Sequence, residues 1–333
     1  MNKKSFFKNK NIIITGGTGS LGRELVSYFI KEKFPFKKII ILSRDELKQS
    51  EMKSFFPIIN HKTLRFFLGD VRDKERLITA FEDVDFVIHA AALKQVEASE
   101  YNPIEFIKTN IIGAQNVIEA AIVSRRVQTV IALSTDKASS PINLYGATKL
   151  CSDKLFINAN NMVGNSKVKF CVVRYGNVMG SRGSVLNNFL QQKKEGTLLL
   201  THPDMTRFHI TLKEAIEMIM WSMIKGFGGE IFIPKIPSFY IKDLARAVCE
   251  DCVIKVIGKK SGEKIHEEMI SLSDSSNTYD LGKYYAVLPE YLLNKYEKKY
   301  LLVPKNFSYT SQNNKDFLSI RNLSEIIKKN FLK

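Results

Sequence analysis

Asn11-Ile-Ile-Ile-Thr15, followed at once by Gly16-Gly-Thr-Gly-Ser-Leu-Gly22, is the stretch on which the fold turns. The first part is an apolar, β-branched run, the pattern of a strand buried on both faces of a parallel sheet. A helical pattern (Leu21, Leu25, Val26, Phe29, Ile30) then starts inside the glycine run. Glycines allow a sharp turn and close backbone approach to a pyrophosphate, while the new helix points its N-terminal amides at the anion. Gly16, Thr18, Gly19, Ser20, Leu21 and Gly22 are therefore candidate cofactor residues. The spacing is Gly-x-x-Gly-x-x-Gly rather than Gly-x-Gly-x-x-Gly. A tight turn without a ligand is the plainer alternative, and the strand-turn-helix context argues against it.

The same pattern continues along the chain. Lys38-Ile-Ile-Ile-Leu42 runs into Ser43-Arg44-Asp45, with Lys48 one helical turn beyond. An acidic residue at this distance from the glycines usually reads a ribose hydroxyl, whereas Arg accommodates a 2′-phosphate. Ser43, Arg44 and Lys48 favour NADP over NAD, and Asp45 keeps NAD open. Leu64 to Leu68 reads as a third strand. It leads to Asp70, whose carboxylate could accept from an adenine amino group, and to Val71. A fourth strand, Phe86 to His89, leads into Ala90, Ala91 and Ala92, which leave room for a cofactor against the backbone, and then to Lys94. Val130–Leu133 and Phe170–Val173 follow as fifth and sixth strands. This alternation predicts an α/β fold, a Rossmann-type doubly wound parallel sheet. Residues 1–175 are expected to bind NADP, and residues 176–333 to form mainly a smaller substrate-binding domain, with some later segments returning to the first.

The chemistry concentrates between Ser134 and Lys149. Tyr145 and Lys149 are four apart, so a helix puts them on one face. An ammonium beside a phenol favours phenolate, which suits removal of a hydroxyl proton while a hydride leaves its carbon. Tyr-x-x-x-Lys alone is a weak signal, since such pairs are common on wet helix faces. Asp136 and Lys137 add a second acid and base that plain alcohol oxidation does not need. Acting as a base, Lys137 must lose its proton from an ordinary value near 10.4. Burial and neighbouring positive charge are expected to push that value down. The plainer reading of this pair is a surface ion pair at a helix start.

Composition bounds the rest. Hydrophobic content of 44% and charged content of 25% are those of an ordinary globular protein. The net charge of +16 comes from lysines scattered among acidic residues, with no Arg-rich run or RNA-binding aromatic signature, so no nucleic-acid partner is expected. Such a field would steer an acidic substrate. The start of the chain lacks the apolar core of a signal peptide, and the apolar stretch from Ala215 to Ile224 is too short to span a bilayer. A cytoplasmic protein without membrane insertion is expected. Of four cysteines, only Cys249 and Cys252 have metal or redox spacing, and they lack a second ligand pair. They are expected to be core or helix-end thiols, and no metal is expected.

With these residues in hand, the chain resembles the extended short-chain dehydrogenase/reductase family. Within it, it is similar to the inverting UDP-N-acetylglucosamine 4,6-dehydratase group of pseudaminic acid synthesis. The resemblance rests on Thr-Gly-Gly-Thr-Gly-Ser (15–20), Ser-Arg-Asp-Glu-Leu-Lys-Gln (43–49), Gly-Asp-Val-Arg-Asp (69–73) and His-Ala-Ala-Ala-Leu-Lys (89–94). It continues through Ser-Thr-Asp-Lys-Ala (134–138), Arg-Tyr-Gly-Asn-Val (174–178), Ser-Arg-Gly-Ser-Val (181–185) and Met-Thr-Arg-Phe (205–208). Gly-Glu-Lys-Ile-His-Glu (262–267) and Tyr-Thr-Ser-Gln-Asn-Asn (309–314) complete it, so nearly the whole chain is covered.

The resemblance implies roles. Tyr145 and Lys149 would serve C4 oxidation by NADP, with Lys149 also holding the nicotinamide ribose. Lys137 would remove the C5 proton, Asp136 would protonate the departing C6 hydroxyl, and Thr135 would orient the sugar. UDP-N-acetylglucosamine would be gripped by Lys94, Asn177, Ser181, Arg182, Val185, Arg207, Lys260 and Glu263. A homo-oligomer, dimer or hexamer, is implied as well. The chain departs from the group's pattern at Lys260, where Arg is usual, at Ser261, where Pro is usual, and at Gln95 and Glu97, in place of His and Pro. The alternatives are a UDP-sugar 4-epimerase, which needs no base at C5, a capsule-type dehydratase/epimerase, and a non-catalytic NADP-binding scaffold.

Overall fold

The computed structural model describes residues 3–56, 62–164, 166–180 and 183–331. Six strands fall where the apolar runs predict them: β1 (Asn11–Thr15), β2 (Lys38–Ser43), β3 (Leu64–Leu68), β4 (Phe86–His89), β5 (Thr129–Thr135) and β6 (Lys169–Tyr175). They pair in parallel in the order β3-β2-β1-β4-β5-β6, and Ile231–Pro234 adds a seventh parallel strand beside β6. The sheet then continues antiparallel through Tyr284–Val287, Thr278–Asp280 and Leu301–Leu302, to ten strands among the described residues.

The unbroken apolar runs have a direct structural reading. Ile13, Ile40, Val87 and Val130 enter the core on one side of the sheet, while Ile12, Ile14, Ile39, Ile41 and Ile131 enter the other. Both faces are covered, so alternate residues need not be polar. A third core is built on Leu186, Phe189, Leu198, Leu200, Phe239, Leu244 and Leu323. The second half of the chain therefore divides itself: Ile231–Pro234 and the three antiparallel strands complete the large sheet, whereas residues of the third core pack apart from it.

Packing explains two glycines beyond any anion. A Cβ on Gly22 would lie 2.2 Å from the Gly17 carbonyl oxygen, so only hydrogen lets the helix Ser20–Lys31 start this close to the turn. Gly16 has φ +66°, and a Cβ there would meet Ala91 Cα at 2.8 Å. The glycine turn thus lies against the alanine run after β4. Buried beneath them, Thr15 Oγ1 and His89 Nδ1 are 2.8 Å apart, and burial with the Lys149 charge holds His89 neutral, its pKa lowered to about 3.

The cysteine expectation is corrected. Cys249 and Cys252 are joined in a disulfide after the helix Ile241–Val248, because the chain turns back within three residues and brings their Cα atoms to 5.4 Å. Among the described residues, no group of three His, Cys, Asp or Glu is placed to hold a metal, and no helix is long and apolar enough to cross a membrane.

Candidate active site

The C-terminal ends of β1, β2, β4, β5 and β6 open onto one cleft of about 1390 Å³. Ligands of doubly wound sheets bind at this edge. Along one end lie Gly16, Thr18, Gly19, Ser20, Leu21 and Gly22, with Ser43, Arg44, Asp45, Lys48, Asp70, Val71, Ala90, Ala91, Ala92 and Lys94. Further along stand Thr135, Asp136, Lys137, Tyr145, Lys149 and Asn177, and at the far wall Lys260 and Glu263. Residues more than two hundred positions apart in sequence share this one cavity.

The cofactor end fits a nicotinamide dinucleotide. The Gly16 cradle, which a Cβ would fill, stands before the N-terminus of the helix Ser20–Lys31, the arrangement that binds pyrophosphate. Asp45 caps the next helix, accepting from Lys48 N at 2.9 Å, and its carboxylate also pairs with the Lys48 ammonium. The Lys48 hydrogen bonds hold the Asp45 carboxyl below its ordinary range. Arg44 reaches Asp70 Oδ2 at 3.8 Å and keeps a half-exposed guanidinium. Burial alone would raise the Asp70 carboxyl, but hydrogen bonds from Arg72 outweigh it and hold it low. Gln49 fixes the Ser43 corner, donating to the Ser43 carbonyl at 2.9 Å and to its hydroxyl at 3.2 Å.

The reacting end is set by one helix packed on one turn. Asn143 caps the helix Leu144–Ala159, accepting from Gly146 N at 2.7 Å. A Cβ on Gly146 would lie 2.3 Å from the Lys137 carbonyl oxygen, so this helix sits directly on the 3-10 turn Asp136–Ala138. Tyr145 and Lys137 are neighbours for that reason. Burial raises the Tyr145 phenol to about 12, and the Lys137 charge and a Thr135 hydrogen bond only partly offset it. Lys149 lines the same cleft as Tyr145, and the charge that lowers the phenol is that of Lys137, a cation the spacing alone did not pair with it. Burial also lowers the Lys149 ammonium.

Asp136 is 1% exposed, and its Oδ1 accepts from the Lys137 ammonium at 3.1 Å and from Thr135 Oγ1 at 3.0 Å. Burial dominates and raises its carboxyl above the ordinary range, against the lowering effect of the Lys137 charge and the Thr135 hydrogen bond. For Lys137 the expected direction is reversed. Burial does favour the neutral amine, but Asp136 and Glu267 outweigh it and raise the pKa above the ordinary lysine value. Glu267 Oε1 lies 2.9 Å from Lys137 Nζ, and its side chain is 1% exposed. The Lys137 side chain nevertheless keeps 22% exposure, open to the cleft.

Two expected substrate residues sit elsewhere. Arg207 is buried under the cleft wall, donating to the carbonyls of Thr206, Ile265 and Lys264 at 2.7, 3.0 and 3.1 Å and lying 3.5 Å from Glu267. Its guanidinium is committed to holding the chain together, which leaves no fork for a phosphate. Val185 begins the helix Val185–Gln192 and packs against the third core. Ser181 and Arg182 lie outside the described residues. Two departures from the pattern explain each other: Lys260 and Glu97 form an ion pair at 3.6 Å on the cleft wall.

Sequence reasoning missed two partners. Glu267 is one. The other is Arg174, whose Nη2 donates to Asp153 Oδ2 at 3.1 Å while Ser134 Oγ donates to the same oxygen at 2.6 Å. Both lie in stretches that carry the resemblance, at 174–178 and 262–267, but as ionisable residues in or beside short strands they gave no sign of their partners.

The chain has relatives along nearly its whole length. A family described as "Polysaccharide biosynthesis protein" matches residues 12–289. A curated protein of Campylobacter jejuni, "UDP-N-acetylglucosamine 4,6-dehydratase (inverting)", is 52% identical over 96% of this chain and 98% of its own length. A Rickettsia typhi protein named "UDP-glucose 4-epimerase" is 40% identical over 96% of each. Among solved structures, Pen from Bacillus thuringiensis superposes with a TM-score of 0.90 at 36% identity, covering 98% of this chain and all of that one.

Proposed function

The chain belongs to the polysaccharide biosynthesis protein family, within the extended short-chain dehydrogenases/reductases, and from that premise we propose that it dehydrates UDP-N-acetylglucosamine across C5 and C6 with inversion at C5. The product would be a UDP-2-acetamido-2,6-dideoxy-L-arabino-hexos-4-ulose, which suits the first step of nonulosonic (pseudaminic) acid synthesis. The observation that carries this reading is the Asp136–Lys137 pair on the cleft wall beside Tyr145, with the Asp136 carboxyl raised by burial above its ordinary range. A 4-epimerase has no use for that pair.

The glycine turn at 16–22, Arg44 and Lys149 would hold NADP, which would supply the acceptor for a hydride from C4 and the donor of that hydride to C6. Each remaining task falls to a side chain. Tyr145 takes the O4 proton, assisted by the Lys137 charge and Thr135. The ketone at C4 acidifies C5, and Lys137, once its ammonium has given a proton to solvent through the open cleft, removes the C5 proton as free amine. Asp136 gives its proton to the C6 hydroxyl, which leaves as water. C5 is then reprotonated from the opposite face by a proton drawn from solvent. Lys94, Asn177, Lys260 and Glu263 line the same cleft and are the proposed contacts to the nucleotide sugar. Lysines neutralise a diphosphate as point charges rather than in bidentate fashion.

Incubation with UDP-N-acetylglucosamine and NADP should yield a product lighter by one water with a C4 ketone. A product of unchanged mass with C4 inverted would make the protein an epimerase instead. The cofactor preference has its own test. Arg44→Ala should weaken NADP binding by about tenfold or more, the worth of one charged hydrogen bond, and NAD binding far less. Equal losses for both in equilibrium titrations would reject Arg44 as the 2′-phosphate ligand.

A further inference from the structure

The charges around the Lys137 amine do not sum as a catalytic acid–base pair requires. Its Nζ touches two carboxylates, Asp136 at 3.1 Å and Glu267 at 2.9 Å. Burial raises the Asp136 carboxyl above its ordinary range, whereas the Lys137 and Arg207 charges outweigh burial and hold Glu267 below its own, so Glu267 is the firmer anionic partner of the amine. The other charged or titratable groups facing Lys137 are Arg207, Tyr145 and Lys264. Arg207 is a fixed cation 3.5 Å from Glu267, and Lys264 donates to the Ser139 carbonyl at 2.6 Å.

Glu267 is itself rigidly placed. Its amide donates to Ser311 Oγ at 2.9 Å, and its carbonyl accepts from Ser311 N at 2.7 Å. Ser311 Oγ in turn bonds Thr206 Oγ1 at 2.7 Å. The carboxylate is 1% exposed and does not line the cleft, and its Oε2 has no hydrogen-bond partner among the described residues. A buried anion so far from water is costly unless something needs its charge.

We propose that Glu267 is a positioning residue for the reaction: it fixes the orientation and the charge state of the Lys137 amine, and so sets the pH at which that amine becomes a base. Arg207 serves the same arrangement by holding Glu267 ionised. The C5 base is therefore a three-residue unit drawn from β5's end, from residues 206–208 and from the segment before Glu268–Ile270, rather than a dipeptide. This inference rests on the reading of Lys137 as the base.

Two readouts separate the inference from that reading. The first needs no turnover: the full chain is labelled with 13C at lysine Cε, the Lys137 signal is assigned by its loss in Lys137→Arg, and pH is varied without ligands. In the native protein, Lys137 should remain ammonium beyond the ordinary lysine midpoint of about 10.4. In Glu267→Gln the midpoint should fall by about one to three units, the usual effect of removing an opposite charge at contact distance. An unchanged midpoint overturns the proposal. Should Glu267→Gln fail to fold, Glu267→Asp decides the same question, since its withdrawn carboxylate must lower the midpoint by a smaller but measurable amount. The second readout is the pH profile of kcat/KM, whose acid limb should move down with the midpoint in Glu267→Gln. A limb that stays while the midpoint moves would leave Glu267 in its assigned role and remove Lys137 from the role of base.

Discussion

Lys137→Ala should slow water loss from the substrate by about 10²–10⁴-fold, the range supplied by one positioned acid or base. Tyr145 should suffer as well, though less. The Lys137 charge lowers the phenol's pKa, so its loss leaves burial unopposed by a neighbouring cation and the C4 oxidation slows. The two half-reactions therefore separate. Single-turnover measurements should show reduced nicotinamide forming at a diminished rate, with dehydrated product nearly absent. Undiminished turnover, or equal losses in both steps, would show that Lys137 is not the C5 base. Folding needs to be checked in the same variant, because Glu267 would keep Arg207 as its one ion-pair partner among the described residues.

Arg174→Ala is expected to cost about 3–5 kcal/mol of stability, the penalty for stripping a buried ion of its partner. Arg174 and Asp153 have side chains 3% and 1% exposed, and without the guanidinium Asp153 would keep the Ser134 hydroxyl as its hydrogen-bond partner among the described residues, with the Lys149 charge nearby. The guanidinium also donates to the Met269 carbonyl at 3.1 Å, so β6 would lose its tie to the segment that carries Glu267. Denaturant unfolding of the two proteins at one pH measures the difference. Adding Asp153→Asn should recover part of the loss, since a neutral amide tolerates burial better than a lone carboxylate. A single-variant cost below about 1 kcal/mol would mean that water or relaxation repairs the site, contrary to the buried pair's assigned role.

Much of the large sheet was legible because its physics is local. A strand buried on both faces must be apolar throughout, so β1, β2, β4, β5 and β6 announce themselves as short β-branched or aliphatic runs. The glycine turn and the Tyr145–Lys149 spacing are local in the same sense. What was not legible depends on partners distant in sequence. The antiparallel strands at 278–280, 284–287 and 301–302 are short, mixed in polarity, and defined only by what they pair with. The direction of the Lys137 shift could not be read without Glu267, since desolvation and ion pairing act oppositely on an amine. Arg207 looked like a phosphate fork because its residue type suits one; three carbonyls claim it instead. Nothing in the spacing of Cys249 and Cys252 told a bonded pair from two thiols.

The central claim concerns which carbon loses its hydrogen. Turnover of UDP-N-acetylglucosamine in deuterated water, followed by proton NMR of the product, tests it most directly. Deuterium from solvent at C5, in the inverted configuration and on a 4-keto-6-deoxy sugar, is the result this account predicts. A product that keeps the substrate's own hydrogen at C5 would contradict it, because no amine could then have taken that proton.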